Sequence, residues 1–290
     1  MKNLFLLLFC YCTGITHAQG NRFIYEYEYV PDMGTQNPVK KELMALDINA
    51  NGSSFRSLNA IKTDSLTYAV MMPSSGNLSL NPNSPAMQNL SSMKKNNLIS
   101  YRITKSYPSY DIYFYDMVDM DLYKVKENED MKWHISSEKQ KIGEYNTQKA
   151  TTDFGGRSWT AWFTQDIPIQ DGPYKFHGLP GLIVKIEDAS KTHMMTLIAQ
   201  HHKDKEDLED IKSKGFRLYR SEIAVDKNQF RKIWKDYIAN PSKSIGDSQT
   251  KMINNGKEVT DTQEMKRSIE RQVREKEKKN SNKIEPDLYK

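Results

Sequence analysis

The sequence predicts a mainly β protein: a curved antiparallel sheet or half-barrel with one or two packed helices. Three observations predict it. The chain holds 16 Tyr and 10 Phe, and aromatic residues favour strands. Apolar residues alternate at period two in several short runs. Those runs recur at close spacing between Pro, Gly, Asn and Asp breaks, the pattern of an antiparallel sheet or part of a barrel.

The run Arg22 to Val30 (RFIYEYEYV) places Phe23, Tyr25, Tyr27 and Tyr29 on one face, with Ile24, Glu26 and Glu28 on the other. That is the signature of a half-buried strand. Glu42 to Ile48 is a second strand, closed by the turn signal Asn51-Gly52. Phe55 to Val70 holds a third strand or a short helix. Pro73 to Pro85 (PSSGNLSLNPNSP) reads as a flexible loop, and Ala86 to Asn97 as a short helix or irregular chain. Alternation returns at Ile99, Tyr101 and Ile103. It continues through Tyr113 and Tyr115 and through Leu122-Tyr123, with breaks at Pro108 and at 119–121. Further strands are expected at Lys132–Ile135, Gln148–Thr152, Ser158–Thr164, Leu182–Ile186 and Met194–Gln200. In SWTAWFT, Trp159, Ala161 and Phe163 share a face opposite Trp162.

The C-terminal region changes character. Asp226 is a good N-cap, Phe230, Ile233, Trp234 and Tyr237 fall at helical spacing, and Asn240-Pro241 ends the helix. From Asp261 to Lys279, Met265, Ile269 and Val273 stand among mixed charges, which reads as a solvated helix. The expected organisation is a signal peptide at 1–18, a β-rich domain at 19–241 and a charged, partly helical or disordered extension at 242–290.

The N-terminus reads as an export signal. Lys2 is followed by the short apolar run LFLLLFCYC, and Thr16-His17-Ala18 offers small residues for cleavage after Ala18. The run is too short to span a membrane. Both cysteines, Cys10 and Cys12, lie within it. The expected mature chain therefore has no thiol for disulfides, nucleophilic catalysis or metal binding. Without Lys2, 41 basic residues face 37 acidic ones, a net +4. Such a mild, unclustered excess gives no argument for a nucleic-acid partner. No other stretch reads as a transmembrane segment.

Constrained residues concentrate in Asp153 to Asp188 (DFGGRSWTAWFTQDIPIQDGPYKFHGLPGLIVKIED). Gly155-Gly156 makes a tight turn, and Ile167-Pro168 and Gly172-Pro173 are extended or turn dipeptides. Leu179-Pro180-Gly181-Leu182 fits a type II turn with Gly181 at positive φ, and Gly178 allows a further bend. The segment resembles the GLPGLI family, named for the string standing here at Gly178 to Ile183. The resemblance also rests on Trp159 to Thr164, on Ile167-Pro168 and on the run from Gly172. It implies a protein exported by bacteria of the Bacteroidetes type, in a family without an assigned function. Members often carry a cysteine where Thr147 stands here, so a role needing that thiol does not transfer. The family loosely resembles the curved half-barrels of periplasmic lipoprotein carriers, an analogy of fold alone.

No cofactor, metal site or catalytic residue is expected. His177 with Ser158 and a nearby aspartate would make a hydrolase, but no nucleophile elbow surrounds them; a histidine bonding a loop carbonyl is the plainer use. His193, His201 and His202 lack metal-ligand spacing. The expected function is that of an exported, non-catalytic binding or accessory protein of the cell envelope, taking an apolar ligand or a partner protein. The candidate face is Arg157, Trp159, Trp162, Phe163 and His177, on the structural turn Gly178, Pro180 and Gly181. Arg157 would clamp a carboxylate or stack on a tryptophan, and the aromatics would line a groove or fill the core.

Overall fold

The computed structural model describes residues 20–34, 38–71, 84–96, 99–119, 121–203, 222–245, 252–254, 257–259 and 262–290. The expected signal segment and most of the expected loop at 73–85 lie outside the described residues.

The architecture is mainly β: one open, curled sheet of twelve strands with four helices. β1 (Gly20–Tyr29) lies at its centre, and the chain runs outward as a meander. The meander comprises β2 (Lys40–Asn49), β3 (Gly52–Ser57), β4 (Arg102–Ser106), β5 (Ile112–Val118) and β6 (Asp121–Glu127). The chain then crosses to the opposite edge and returns inward. β7 (His134–Ile142), β8 (Tyr145–Phe154), β9 (Arg157–Thr164), β10 (Leu182–Asp188) and β11 (His193–Lys203) make this second meander. β11 pairs antiparallel with β1, and the short β12 (Ile223–Val225) adds to β6 in parallel. The sheet does not close.

Register explains the core. Phe23 faces Leu46, Leu46 faces Phe55, Phe55 faces Ile103, Ile103 faces Phe114 and Phe114 faces Val125. Each of these side chains is buried. Because cross-strand pairs are the packing unit of a sheet, this row ties six strands into one apolar band. A second row, Tyr27, Met195, Ile186, Ala161 and Ala150, does the same across the other meander.

The region expected as strand or helix contains both: β3 runs directly into α1 (Leu58–Met71), and α2 (Pro85–Asn96) follows. The strand expected at 132–135 instead starts at His134, and β7 continues to Ile142 as an almost wholly exposed edge. Trp133 is diverted before it: its indole N–H donates to the His177 carbonyl at 2.8 Å.

The helix expected after Asp226 is α3 (Lys227–Ala239). Asp226 accepts from the Gln229 amide while the Gln229 side chain accepts from the Asp226 amide, a full capping box, worth about 1 kcal/mol. α3 buries Phe230 against Phe114 and Tyr123 of the sheet. α4 (Thr262–Lys279) is largely exposed, as its charges predict. Residues 281–290, which composition places in the charged extension, pack into the core. Asn282, Ile284, Glu285 and Leu288 are all buried.

Candidate functional site

The segment between β9 and β10 is folded around a buried ion pair. Lys105 of β4 donates to Asp171, and to the carbonyls of Gly172 at 2.7 Å and Phe176 at 3.1 Å. Tyr107 donates to the other Asp171 oxygen. An ammonium and a carboxylate this deeply buried are tolerable only when their remaining valences are met, and the loop backbone meets them.

Gly181 adopts the expected positive φ, +145°, but the turn is not type II. The Gly181 amide donates to the Leu179 carbonyl at 2.7 Å, an inverse γ-turn centred on Pro180. The Leu182 amide, which a type II turn would direct to Leu179, instead reaches Ile167 at 3.1 Å. Glycine is required here by close approach: a Cβ on Gly181 would lie 1.9 Å from the Thr164 carbonyl oxygen. Gly178 also has positive φ, +88°, but faces open space.

The five residues proposed for a binding face have separate places. Trp159, Trp162 and Phe163 are 2%, 8% and 1% exposed; even so, Phe163 edges an open hollow with Gln148 and Gln165, and Trp159 another with Asp153 and Ser158. Trp159 packs edge-on against Phe176, and its indole donates to Phe154. Trp162, on the opposite face, is flanked across the sheet by Lys149 and Lys185, whose long stems suit covering apolar surface. Arg157 does clamp a carboxylate, but one of its own chain: Asp188 at 2.9 Å. Its second nitrogen donates to Asn282 and to the Lys283 carbonyl at 2.6 and 2.7 Å, fastening the C-terminal tail. His177 bonds the Lys175 carbonyl at 3.0 Å and stacks on Tyr110. Burial, then the nearby Lys105 charge, holds its pKa below the ordinary value. Ser158 donates to Asp153, so His177 and Ser158 each serve a different local partner.

A second buried cluster locks the tail in place. Glu285 accepts from Lys175 and from Tyr174 at 2.8 Å. Lys175 also reaches Glu127 at 2.9 Å, and Lys227, at the start of α3, pairs with Glu127 at 2.8 Å and Glu285 at 3.3 Å. Two carboxylates and two ammoniums thus balance between the motif loop, β6, α3 and the tail.

The tail so held forms one wall of a cavity of about 110 Å³ between the core face of the sheet and α3, α4 and the tail. Six aromatic side chains wall it: Tyr27, Tyr29, Tyr101, Trp234, Tyr237 and Tyr289. Its polar groups are many: Ser100, Asp116, Lys276, Glu277, Asn282 and Lys283 line it as well. The Tyr101 hydroxyl is buried with no hydrogen-bond partner among the described residues, and burial keeps this phenol protonated by raising its pKa. Asp116 accepts from the Ser100 hydroxyl and the Met117 amide, both at 2.9 Å. Burial pushes its carboxyl up, against the pull of Lys276 and Lys283. None of the five proposed face residues lines this space. The sequence signal for it was present, however. In β5 the core-facing positions read Ile112, Phe114, Asp116, Val118, and a carboxylate in an apolar row is unusual enough to mark a site.

The segment that is unusual in sequence is also the one that a known family matches. A family model described as a protein of unknown function (Porph_ging) matches residues 156–185, a likeness confined to β9, the loop and the start of β10. No curated protein matches the chain. Among solved structures, two described as the structure of PNGF-II are similar. The one in the C2 space group has a TM-score of 0.50 at 14% identity over 75% of this chain. The one in P21 has 0.49 at 14% identity over 74%. This chain spans about a third of the length of those chains, 33% in each case. At such identity the likeness is one of fold. No helix among the described residues is long and apolar enough to cross a membrane.

Proposed function

We propose that this chain is an exported, non-catalytic binding protein of the cell envelope. Its ligand is a small molecule with an apolar body, held in the cavity between the sheet and the C-terminal helices. The observation that carries this reading is the cavity itself: six aromatic walls around a buried hydroxyl that has no partner among the described residues. Aromatic walls with convergent polar groups are a usual form of small-molecule sites, and here charged side chains share the lining. The tail that forms one wall of the cavity is held by ions and by Arg157, so the site is largely set on folding. That lowers the ordering cost of binding. The export part of the reading rests on the N-terminal sequence, and a mature protein beginning at Gln19 by mass spectrometry is the expected result; a retained Met1 counts against it.

The test is a titration of the purified mature protein with small organic molecules of low polarity, such as isoamyl alcohol and benzene. Thermal shift and tryptophan fluorescence are the readouts, since Trp234 lines the cavity. The wild type should be stabilised and its fluorescence altered. Ile284→Phe, which fills the cavity from the tail side, should abolish both responses while keeping the fold. Absence of response in the wild type, or an equal response in the filled variant, refutes the cavity as the site.

A further inference from the structure

The cavity also carries a charge pattern that narrows the class of ligand. Building on the cavity as the ligand site, we propose that its ligand is a small zwitterion of the α-amino-acid type with an aliphatic side chain. The ammonium meets Asp116 and the Tyr101 hydroxyl, the side chain lies against the aromatic walls, and the carboxylate faces Lys276 at the mouth.

Two polar groups at one place motivate the ammonium, the half-buried Asp116 carboxylate and the Tyr101 hydroxyl. Asp116 sits on the core face of β5, and its partners within bonding distance are a hydroxyl and an amide, not a cation. The Tyr101 hydroxyl lacks any partner among the described residues, and a buried polar atom in that state calls for an explanation. Both line the same space. An ammonium has three donors and no acceptor, so a single ligand group satisfies the carboxylate and the phenol oxygen together. Aromatic faces around it add cation–π attraction.

Charge balance motivates the carboxylate. Glu277 and Lys283 line the cavity as a pair at 3.0 Å, and the Lys283 ammonium already lies 5.2 Å over both Trp234 and Tyr289. Asp116 is left opposite Lys276, an exposed residue of α4 that shares the cavity. A plain amine would add unbalanced positive charge beside two lysines, whereas a zwitterion adds none. Size sets the side chain. An apolar cavity of about 150 Å³ takes benzene, so the 110 Å³ here suits an aliphatic group of roughly four or five carbons, with the charged end toward the mouth.

Calorimetric titration of the mature protein with L-leucine, isoamylamine, isocaproate and isoamyl alcohol separates the parts. Leucine should bind about tenfold more tightly than either singly charged analogue, since each loses a charge-assisted contact. Asp116→Asn and Tyr101→Phe should each weaken leucine and leave isoamyl alcohol unchanged. Tyr101→Phe removes one unpartnered oxygen, so it tests the contact without threatening the fold. Leucine binding no tighter than isoamylamine or isocaproate, or unchanged in Tyr101→Phe, overturns the zwitterion assignment; if isoamyl alcohol still binds, the cavity stands as a site for neutral ligands. Failure of all four to bind overturns both readings.

Discussion

Replacing Gly181 by alanine tests how tightly the motif loop is fitted to the sheet. The new Cβ would lie 1.9 Å from the Thr164 carbonyl oxygen and 2.7 Å from its carbon. These are backbone atoms of β9, so no side chain can swing away. The backbone at φ +145° is also a region that side chains rarely adopt, costing on the order of 1–3 kcal/mol. Parting the loop from β9 adds about 1–3 kcal/mol, the usual range for overpacking. The expected loss is about 4 kcal/mol, a fall in Tm of roughly 8–16 °C for a domain of this size. Gly178→Ala is the control: its φ is +88° and its Cβ would meet open space, so it loses only the conformational part, about 1–2 kcal/mol. Differential scanning calorimetry and urea unfolding measure both. A Gly181→Ala protein no less stable than Gly178→Ala refutes the close approach as the reason for glycine.

Other outcomes follow from the buried charges. Glu285→Gln leaves Lys175 with Glu127 alone and Lys227 with Glu127 and the more exposed Glu129, and should cost about 3–5 kcal/mol in urea unfolding; a loss under about 1 kcal/mol would show that the cluster is not stabilising. Burial alone would raise the Glu127 carboxyl, but Lys175 and Lys227 hold it below its usual value of 4.5. Its contribution is therefore complete above that pH and fades as pH falls through the lower folded value, so Glu127→Gln should flatten the acid limb of the stability profile. His193 is buried against Tyr27, and burial, then Arg157, pushes its pKa down to about 3. The unfolded chain binds a proton there from about pH 6.5 downward, so His193 costs stability increasingly between 6.5 and 3. NMR should find a neutral His193 ring at pH 5; a titration near 6.5 would contradict its burial.

The strands were legible because one face of each is apolar and the other is not. Phe23, Tyr25, Tyr27 and Tyr29 announce β1, and the capped α3 is written plainly in Asp226, Phe230 and Trp234. Gly181 declared its positive φ but not its turn, since the Leu182 amide is taken by Ile167, a residue of the preceding loop. The aromatic residues of β9 could be read as groove or core, and only the second meander packed around them decides. The cavity was harder to see because its walls come from β1, β5, α3, α4 and the tail, which no local pattern joins. Lys105 and Asp116 occupy core-facing positions in otherwise apolar rows, and each turned out to have a special environment. The tail was opaque for another reason: Glu285 reads as one more charge in a charged region until Lys175, Lys227 and Tyr174 surround it.

The placement of β1 has a consequence for how the chain reaches this structure. Each meander is made of neighbours in sequence and can form by local zipping, but their strands pair with each other along β1 and β11, where Tyr27 faces Met195. That seam carries the longest-range contacts of the sheet, and loop closure over so many residues is slow. Two half-sheets with exposed inner edges must therefore wait for each other. The tail can dock only after the seam forms, because Arg157 and Val30, from opposite sides of it, both hold Asn282. The final residues of the chain thus report on the last event of folding, and a label there would follow the completion of the whole sheet.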